Sequence, residues 1–415
     1  MASIEPNTEG CKVENEKVLP FVSIEQDNRN LLKGIMKKYI VLAVSLTLLS
    51  AAPSFSAPKK PAAKAAVKKP VAKKPVVKKV AVKPTPTPSP PAVVEAPKVV
   101  EPTPTPTPAP TRASAVSIDN LDAKSVYARS RQEVSDAIEK SSYVNTFLNF
   151  NIGPNQNASI VSTERESIAL AARLWSNVYQ PKTQLEILFY DFKDLDWARA
   201  KFSQITGTSN FYSANSCFAN YCGNASAGRV GNSPWIFEQG LGGSLWNKST
   251  SAHEYTHLAQ ASSNPDYWNI APIWLVEGMA QFYGEAIGYS PFDSSLKTRG
   301  EMHRQYASDF KGANLGDLKT LLSKNDPATV KSLMNLAEFP NPRHGQATTA
   351  AAYLLGSYGT EVLAAVYGHS AVEQFLKSFS TSSDWKTNFN KSFGITSEEF
   401  YSKLTPYLYE MSKEL

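Results

Sequence analysis

The segment 251–258 reads Ser-Ala-His-Glu-Tyr-Thr-His-Leu and contains two histidines four residues apart, with a glutamate directly after the first. Residues four apart lie on one face of an α-helix, so the imidazoles of His253 and His257 can bind a single metal ion. Glu254 then lies where its carboxylate can take a proton from a water molecule on that metal. This H-E-x-x-H pattern predicts metal-assisted hydrolysis.

A third ligand is predicted in the segment 272–281, Pro-Ile-Trp-Leu-Val-Glu-Gly-Met-Ala-Gln. Pro272 suits the first turn of a helix, because the N–H that proline lacks has no helical partner there. Glu277 then lies inside this second helix, which we expect to end near Gly288, and supplies an oxygen ligand. Two histidines and one glutamate leave the fourth position of a zinc ion open for water, as hydrolytic zinc sites require.

A purely structural interpretation of the same residues is also open. Ser251 and Glu254 have the spacing of a capping box, in which the glutamate only satisfies the start of a helix. The two histidines would then be an ordinary half-buried pair, and Glu277 a solvated helix residue. This alternative leaves the joint spacing of the two segments unexplained.

The elements that must position these residues lie in a globular part, 113–415, long enough for one large domain or two lobes. Hydrophobic patterning predicts a strand at 184–190, and it predicts helices at 127–150, 163–179, 196–205, 344–359, 361–367, 371–379 and 397–411. The predicted fold class is α+β. A small mixed sheet in an upper lobe and a helical lower lobe would enclose the metal cleft.

Residues 209–243 are rich in Gly, Ser, Asn and aromatic residues and show no helical period. We expect short strands at 228–230 and 235–238, one of which would form an edge beside the metal cleft, where an extended peptide can pair by strand addition. Cys217 and Cys222 lie in the same region. A secreted chain favours a disulfide between them, worth at most about 2 kcal/mol for so small a loop. Metal binding by this pair is the less favoured alternative, because no His or Cys partner lies nearby in the sequence.

The segment 36–57 has the composition of a secretory signal: Met-Lys-Lys, a short apolar run and then small residues up to Ala57. The apolar run is too short to predict a membrane span. Because a signal should begin near the first residue, we interpret 1–35 as an upstream artefact and Met36 as the true start. The alternative is a long cytoplasmic segment before an uncleaved anchor.

Residues 58–112 consist mainly of Lys, Pro, Ala and Val, followed by Thr-Pro repeats. Such a segment cannot bury a core, so a disordered, extended linker is predicted. It carries eleven Lys and one Arg against Glu95 and Glu101, a net charge of +10. Since residues 1–57 carry no net charge and the whole chain carries +6, residues 113–415 carry −4.

This charge distribution argues against nucleic acid as a partner of the globular part, which lacks a basic surface. The Lys-rich linker suits an anionic cell-wall polymer or lipid headgroups, and a solubilising spacer without a partner is the alternative. The predicted location is secreted or extracytoplasmic, at the cell wall or membrane if the linker binds there.

His253, Glu254, His257 and Glu277, with Trp-Leu-Val-Glu-Gly-Met-Ala at 274–280, resemble the gluzincin type of zinc metallopeptidase. Within that type the chain is most similar to the small bacterial peptidases of the peptidase MA-like family. The resemblance implies that the two histidines and Glu277 bind zinc and that Glu254 is the general base.

The resemblance covers roughly residues 164–367 and includes a helix at 346–359 after the third ligand. Two positions depart from the pattern of similar proteins. Thr348 stands where a tyrosine is common, and Gln281 stands where thermolysin-type relatives have an aspartate. The residue that fixes the tautomer of a ligand histidine is therefore not identified from the sequence.

The predicted function is that of a secreted zinc-dependent endopeptidase, in which Glu254 takes a proton from the attacking water and passes it to the leaving amine. A donor to the tetrahedral oxyanion is also expected. His344 is the first candidate, with Tyr283 or Tyr353 in reserve, although a core or surface role for His344 is equally open. Two other functions are considered, a non-catalytic cell-wall-associated module that keeps the fold, and a hydrolase of cell-wall peptides.

Overall fold

A computed structural model describes residues 115–211, 217, 222, 225–230, 233, 235–241, 247–288, 296–312, 315–338 and 346–415. The predicted signal and linker, and also His344, lie outside the described residues. The described strands are β1 (Leu148–Ile152), β2 (Leu185–Tyr190), β3 (Ala225–Gly228) and β4 (Trp235–Gly240). The described helices are α1 (Ala123–Lys140), α2 (Ala158–Leu174), α3 (Leu195–Thr206), α4 (Asn247–Ser263), α5 (Tyr267–Ile270), α6 (Ile273–Gly288), α7 (Leu296–Gly312), α8 (Leu318–Leu322), α9 (Pro327–Leu336), α10 (Gln346–Tyr367), α11 (His369–Ser378), α12 (Trp385–Phe393), α13 (Ser397–Lys403) and α14 (Thr405–Ser412).

The four strands form one mixed sheet in the order β1-β2-β4-β3. β1, β2 and β4 are parallel, and β3 runs antiparallel to β4. Side chains alternate along β2, so Ile187 and Phe189 face the main core while Leu188 and Tyr190 face a smaller core that α3 covers. The sheet therefore lies between α3 on one face and the helical bulk of the protein on the other.

Helix α6 is the centre of the helical part. Every residue from 273 to 285 is buried, as expected of a mostly apolar helix enclosed by other elements. It packs against α4 on one side and α10 on the other. A Cβ atom on Gly278 would come within 2.3 Å of Gly356 on α10, so the two helices can approach this closely only because both positions are glycine.

Three sequence-based assignments are corrected by the structure. The helix predicted at 127–150 ends at Lys140, and its last residues belong to β1, which pairs in parallel with β2. The helices predicted at 344–359 and 361–367 are one helix, α10, because Gly359 packs beside the ring of Trp274 rather than ending the helix. The helix predicted at 397–411 is two, α13 and α14.

The coarse prediction of a mixed α and β fold with a small sheet and many helices is confirmed. Cys217 and Cys222 form a disulfide, as predicted. Within the part of the chain that the structure describes, none of the helices combines the length and the hydrophobicity needed to cross a membrane.

Candidate metal centre

The two histidines of the H-E-x-x-H segment lie on α4 with their rings facing the same point. The Nε2 atoms of His253 and His257 are 3.1 Å apart. The Oε2 atom of Glu277, on α6, is 3.5 Å from the first nitrogen and 3.4 Å from the second. All three side chains are almost completely buried. Two elements that are separate in the sequence thus direct three ligand atoms to one point.

The spacing of these three atoms fits a tetrahedral ion. Bonds of about 2.0–2.1 Å at tetrahedral angles separate neighbouring ligand atoms by about 3.3–3.4 Å. The oxygen of Glu277 that faces the histidines is buried and has no hydrogen-bond partner among the described residues. A buried carboxylate oxygen without a donor is costly, and a cation at this point removes that cost. The group could therefore hold a metal ion.

Glu254 completes the cluster. Ligand atoms of His253, Glu254 and His257 all lie within 4.8 Å of one another. The Oε2 atom of Glu277 lies 3.5 and 3.4 Å from the two nitrogens, so either carboxylate could supply the third ligand. Burial raises the pKa of Glu254 to about 7, so near neutral pH this carboxyl group can both accept and release a proton.

The carboxylate and the two imidazoles of the metal centre change one another's pKa values. Burial alone would raise the pKa of Glu277, but the two imidazoles outweigh it and hold that pKa well below its usual range. Burial lowers the pKa of His253. For His257 burial lowers the pKa, but Glu277, Glu254 and Gln260 together outweigh burial and raise it. The centre therefore contains an ionised carboxylate beside two imidazoles, a donor set that suits a divalent cation.

The capping-box interpretation is wrong. Helix α4 begins at Asn247, so Ser251 lies inside the helix and not at its N-cap. The hydroxyl of Ser251 instead donates to Oε1 of Gln239 on β4, at 2.8 Å. Glu254 has no role at the start of the helix.

Gln260 determines which nitrogen of His257 faces the centre. Its side-chain NH₂ donates to the carbonyl oxygens of Leu275 and Val276 on α6, at 3.1 and 2.9 Å, which directs Oε1 toward the imidazole. The Nδ1–H of His257 then donates to that oxygen at 2.8 Å, which leaves Nε2 facing Glu277. One amide thus orients a candidate ligand and also joins the two helices that carry the candidate ligands.

This role of Gln260 was missed from the sequence. It lies three residues after His257 and therefore on the same helix face, which is the signal that could have identified it. Gln281, the residue at the position of the expected aspartate, bonds to Glu285 rather than to a ligand histidine.

Helix α4 packs closely against α6 at Gly284. A Cβ atom there would lie 2.8 Å from the carbonyl oxygen of Ser249 and 3.0 Å from Cβ of His253. On its other side, the ring of His253 stacks on Tyr353 of α10, with centroids 5.8 Å apart and planes 6° apart. Tyr306 of α7 stacks on Tyr353 in turn. The orientation of His253 is therefore set by packing.

The structure separates the two reserve candidates for an oxyanion donor. The hydroxyl of Tyr283 bonds to Nδ1 of His369 at 2.9 Å, away from the ligand group. Tyr353 lies at the centre: burial, and next the charge of Glu277, raise its pKa well above the usual value. Its hydroxyl is buried, and a hydrogen bond to Glu277 also contributes to the raised pKa, which places this hydroxyl beside the candidate ligands.

Strand β3 forms an edge of the described sheet and packs against α4. It lies slightly earlier in the chain than the strand predicted at 228–230. Beside it on β4, Glu238 is fully buried and accepts hydrogen bonds from the hydroxyls of Ser226 and Tyr190, each at 2.9 Å. Burial raises the pKa of Glu238 to about 8.

Comparisons of the chain with protein-family models, with curated proteins and with solved structures find no match.

Proposed function

We propose that this protein is a secreted zinc-dependent peptidase of the gluzincin type. The observation that carries the proposal is the convergence of His253, His257 and Glu277 at tetrahedral spacing, with an unsatisfied carboxylate oxygen, beside a buried Glu254. A zinc ion bound by these three residues would polarise the scissile carbonyl and make water a stronger nucleophile.

In this proposal Glu254 transfers a proton from the attacking water to the leaving amine. It accepts one proton from the attacking water as the bond from oxygen to the carbonyl carbon forms. It then gives that proton to the amide nitrogen as the carbon–nitrogen bond breaks. Burial raises the pKa of Glu254 above its usual value, which favours proton uptake by this carboxylate.

Two further features support a peptide substrate. The Tyr353 hydroxyl is a donor beside the ligand group and can stabilise the negative charge that develops on the carbonyl oxygen. Among the described strands, β3 lies at an edge of the sheet, where an extended peptide could pair with it. The two-lobed zincin arrangement, with a cleft between sheet and helices, is part of the same proposal.

The proposed location rests on the disulfide between Cys217 and Cys222, since such bonds persist mainly outside the reducing cytoplasm. It also rests on the composition of 36–57 described above.

The test is the substitution Glu254→Gln, which keeps the size of the side chain but cannot accept a proton. We expect peptide hydrolysis to fall by the upper part of the range of about 10²–10⁴-fold, since this one residue both accepts and delivers the proton. Zinc content and melting temperature should remain close to wild type. Hydrolysis of a mixed peptide library and zinc content should be measured on the same preparation.

The exposed Glu166→Gln on α2 is the matched control and should keep full activity. An active Glu254→Gln protein with full zinc would disprove the proposed mechanism. An inactive wild type with full zinc would favour the non-catalytic binding module instead.

A further inference from the structure

A cavity of about 540 Å³ opens where α1 and α2 end and α11 begins. This volume is within the range of small-molecule sites in proteins. None of the candidate metal ligands, nor Glu254, lines it. It is therefore distinct from the metal centre, and no step of the proposed hydrolysis uses it.

The cavity contains one acidic group that the fold leaves incompletely satisfied. The side chain of Glu373 on α11 is 9% exposed, and its Oε1 atom has no hydrogen-bond partner among the described residues. Oε1 lies 3.5 Å from Nε2 of His369, beyond a good hydrogen bond, while Oε2 accepts from Asn177 at 3.3 Å. A buried carboxylate oxygen in this state can accept a donor from a ligand.

Two other acidic groups in the cavity are already engaged. Glu133 pairs with Arg129 and also accepts from the backbone N–H of His369. Asp136 accepts from the side chain of Gln132. Among the carboxylates that line the cavity, Glu373 is therefore the one with a buried oxygen left for a ligand.

The cavity also contains two cations that do not neutralise Glu373. Arg173, at the end of α2, uses Nε to donate to the carbonyl oxygen of Ser141 at 3.0 Å. Its terminal nitrogens, and the ammonium group of Lys140 at the end of α1, form no ion pair within the described part of the chain. Acidic and basic groups thus line one cavity without pairing with each other.

From these observations we infer that the cavity binds a zwitterion, namely a short peptide or an amino acid with free amino and carboxyl groups. The ammonium group of the ligand donates to the carboxylate of Glu373. Its carboxylate accepts from the guanidinium of Arg173, whose planar donors suit a carboxylate, and from Lys140. A ligand with both charges satisfies both sides of the cavity at once, whereas a ligand with one charge leaves the other side unpaired.

The test uses the full chain carrying Glu254→Gln, so that a peptide probe is not cut, and calorimetric titration with trialanine. N-acetyl-trialanine, which lacks the ammonium group, and trialanine amide, which lacks the carboxylate, are the matched probes. We expect trialanine to bind and each modified peptide to bind about tenfold more weakly or worse, since each loses a charge-assisted hydrogen bond.

Variants locate the site. Glu373→Gln and Arg173→Met, each added to the same chain, should weaken trialanine binding about tenfold or more. Glu139→Gln and Lys377→Met are exposed controls on α1 and α11 that do not line the cavity, and they should leave binding unchanged. Removal of bound metal with EDTA should also leave it unchanged, which separates this cavity from the metal centre.

Four results would overturn the inference. They are no binding of trialanine at about 1 mM, equal binding of either modified peptide, undiminished binding in both cavity variants, and loss of binding on treatment with EDTA. The first three do not bear on whether the metal centre hydrolyses peptides, whereas loss of binding with EDTA would place the peptide at the metal centre and favour the peptidase proposal, so failure of the two proposals can be told apart.

Discussion

At the residue scale, the metal centre depends on which atom each side chain presents. A histidine binds a metal only through a deprotonated nitrogen, and the hydrogen bond at the other nitrogen decides which one that is. For His257 that bond goes to Gln260, which two carbonyl groups of α6 hold in place. For His253 the ring is held by stacking on Tyr353.

Replacing Gln260 tests this arrangement. Gln260→Leu removes the acceptor for Nδ1–H of His257, so we expect zinc affinity to fall about 10–100-fold, the usual effect of removing such a partner. Zinc affinity should be measured by competition with a chelator. Gln204→Leu, at an exposed position of α3, is the control and should bind zinc like wild type.

A Glu277→Ala protein should lose most of its zinc in the same assay, because it lacks the proposed oxygen ligand. Unchanged zinc affinity in Gln260→Leu would show that the imidazole is oriented without this amide. Full zinc retention in Glu277→Ala would show that the ligands are assigned wrongly.

At the scale of the elements, α6 brings the third ligand to the other two. Gly284 allows α4 to approach on one side, and Gly278 allows α10 to approach on the other. Glu277 is directly before Gly278, so the contact between α6 and α10 also positions the carboxylate. Helix packing at two glycines thus controls the geometry of the metal centre.

The substitution Gly278→Ala should therefore destabilise the folded protein. Its Cβ would lie 2.3 Å from backbone atoms of Gly356, which cannot move as a flexible side chain can. We expect a loss of about 1–3 kcal/mol in the free energy of unfolding, typical of overpacking, together with weaker zinc binding.

Gly312→Ala, at the end of α7, is the matched control, since no atom lies within 4 Å of the added Cβ. Chemical denaturation of both variants measures the difference. Equal stability of the Gly278→Ala and Gly312→Ala variants would mean that α6 and α10 can move apart without a loss of folding free energy.

Strand β4 carries a prediction about pH. The pKa of Glu238 is about 8 in the folded protein, against 4.5 for the free side chain. The folded state therefore keeps a proton that the unfolded state releases, and this contribution to stability is complete below pH 4.5. It decreases as the pH rises from 4.5 to 8.

Glu238→Gln removes that titration. The melting temperature of wild type minus that of the variant should fall steadily from pH 5 to pH 8. Burial raises the pKa values of Glu164 and Glu254 to about 7, and both groups contribute with the same sign to wild type and variant, so their contributions largely cancel in the difference. A difference that does not change with pH would contradict an elevated pKa for Glu238.

At the scale of the whole molecule, charge is unevenly distributed. Residues 58–112 carry +10, whereas residues 113–415 carry −4. Electrostatic attraction to an anionic surface should therefore depend on the linker and not on the folded part. Each Lys near such a surface contributes about 1 kcal/mol, and salt screens that contribution.

Sedimentation with vesicles that contain anionic lipid tests this expectation. The full chain should bind at about 0.01 M salt and be released at about 1 M salt, where the screening length falls to about 3 Å. Replacing the eleven linker lysines with Gln should abolish binding. The control is the same replacement in the folded part, at Lys124, Lys182, Lys201 and Lys377, which should leave vesicle binding intact. If the variant without linker lysines still bound vesicles, another part of the chain would make the contact with the lipid.

The sequence by itself determined the features that depend on local spacing. The four-residue interval on α4 places His253 and His257 on one face of that helix, and the segment around Glu277 is helical, as predicted. The strand predicted at 184–190 is β2 almost residue for residue.

Only the tertiary structure decided the features that depend on distances between elements. Residues 148–150 have a helix-like pattern but form β1, because pairing with β2 is a contact between segments far apart in the sequence. Tyr283 and Tyr353 are both buried tyrosines, yet the rotation of their helices directs one toward His369 and the other toward the metal centre. Hydrophobic periodicity indicates which face of a helix is buried, but what that face meets depends on the packing of all its neighbours.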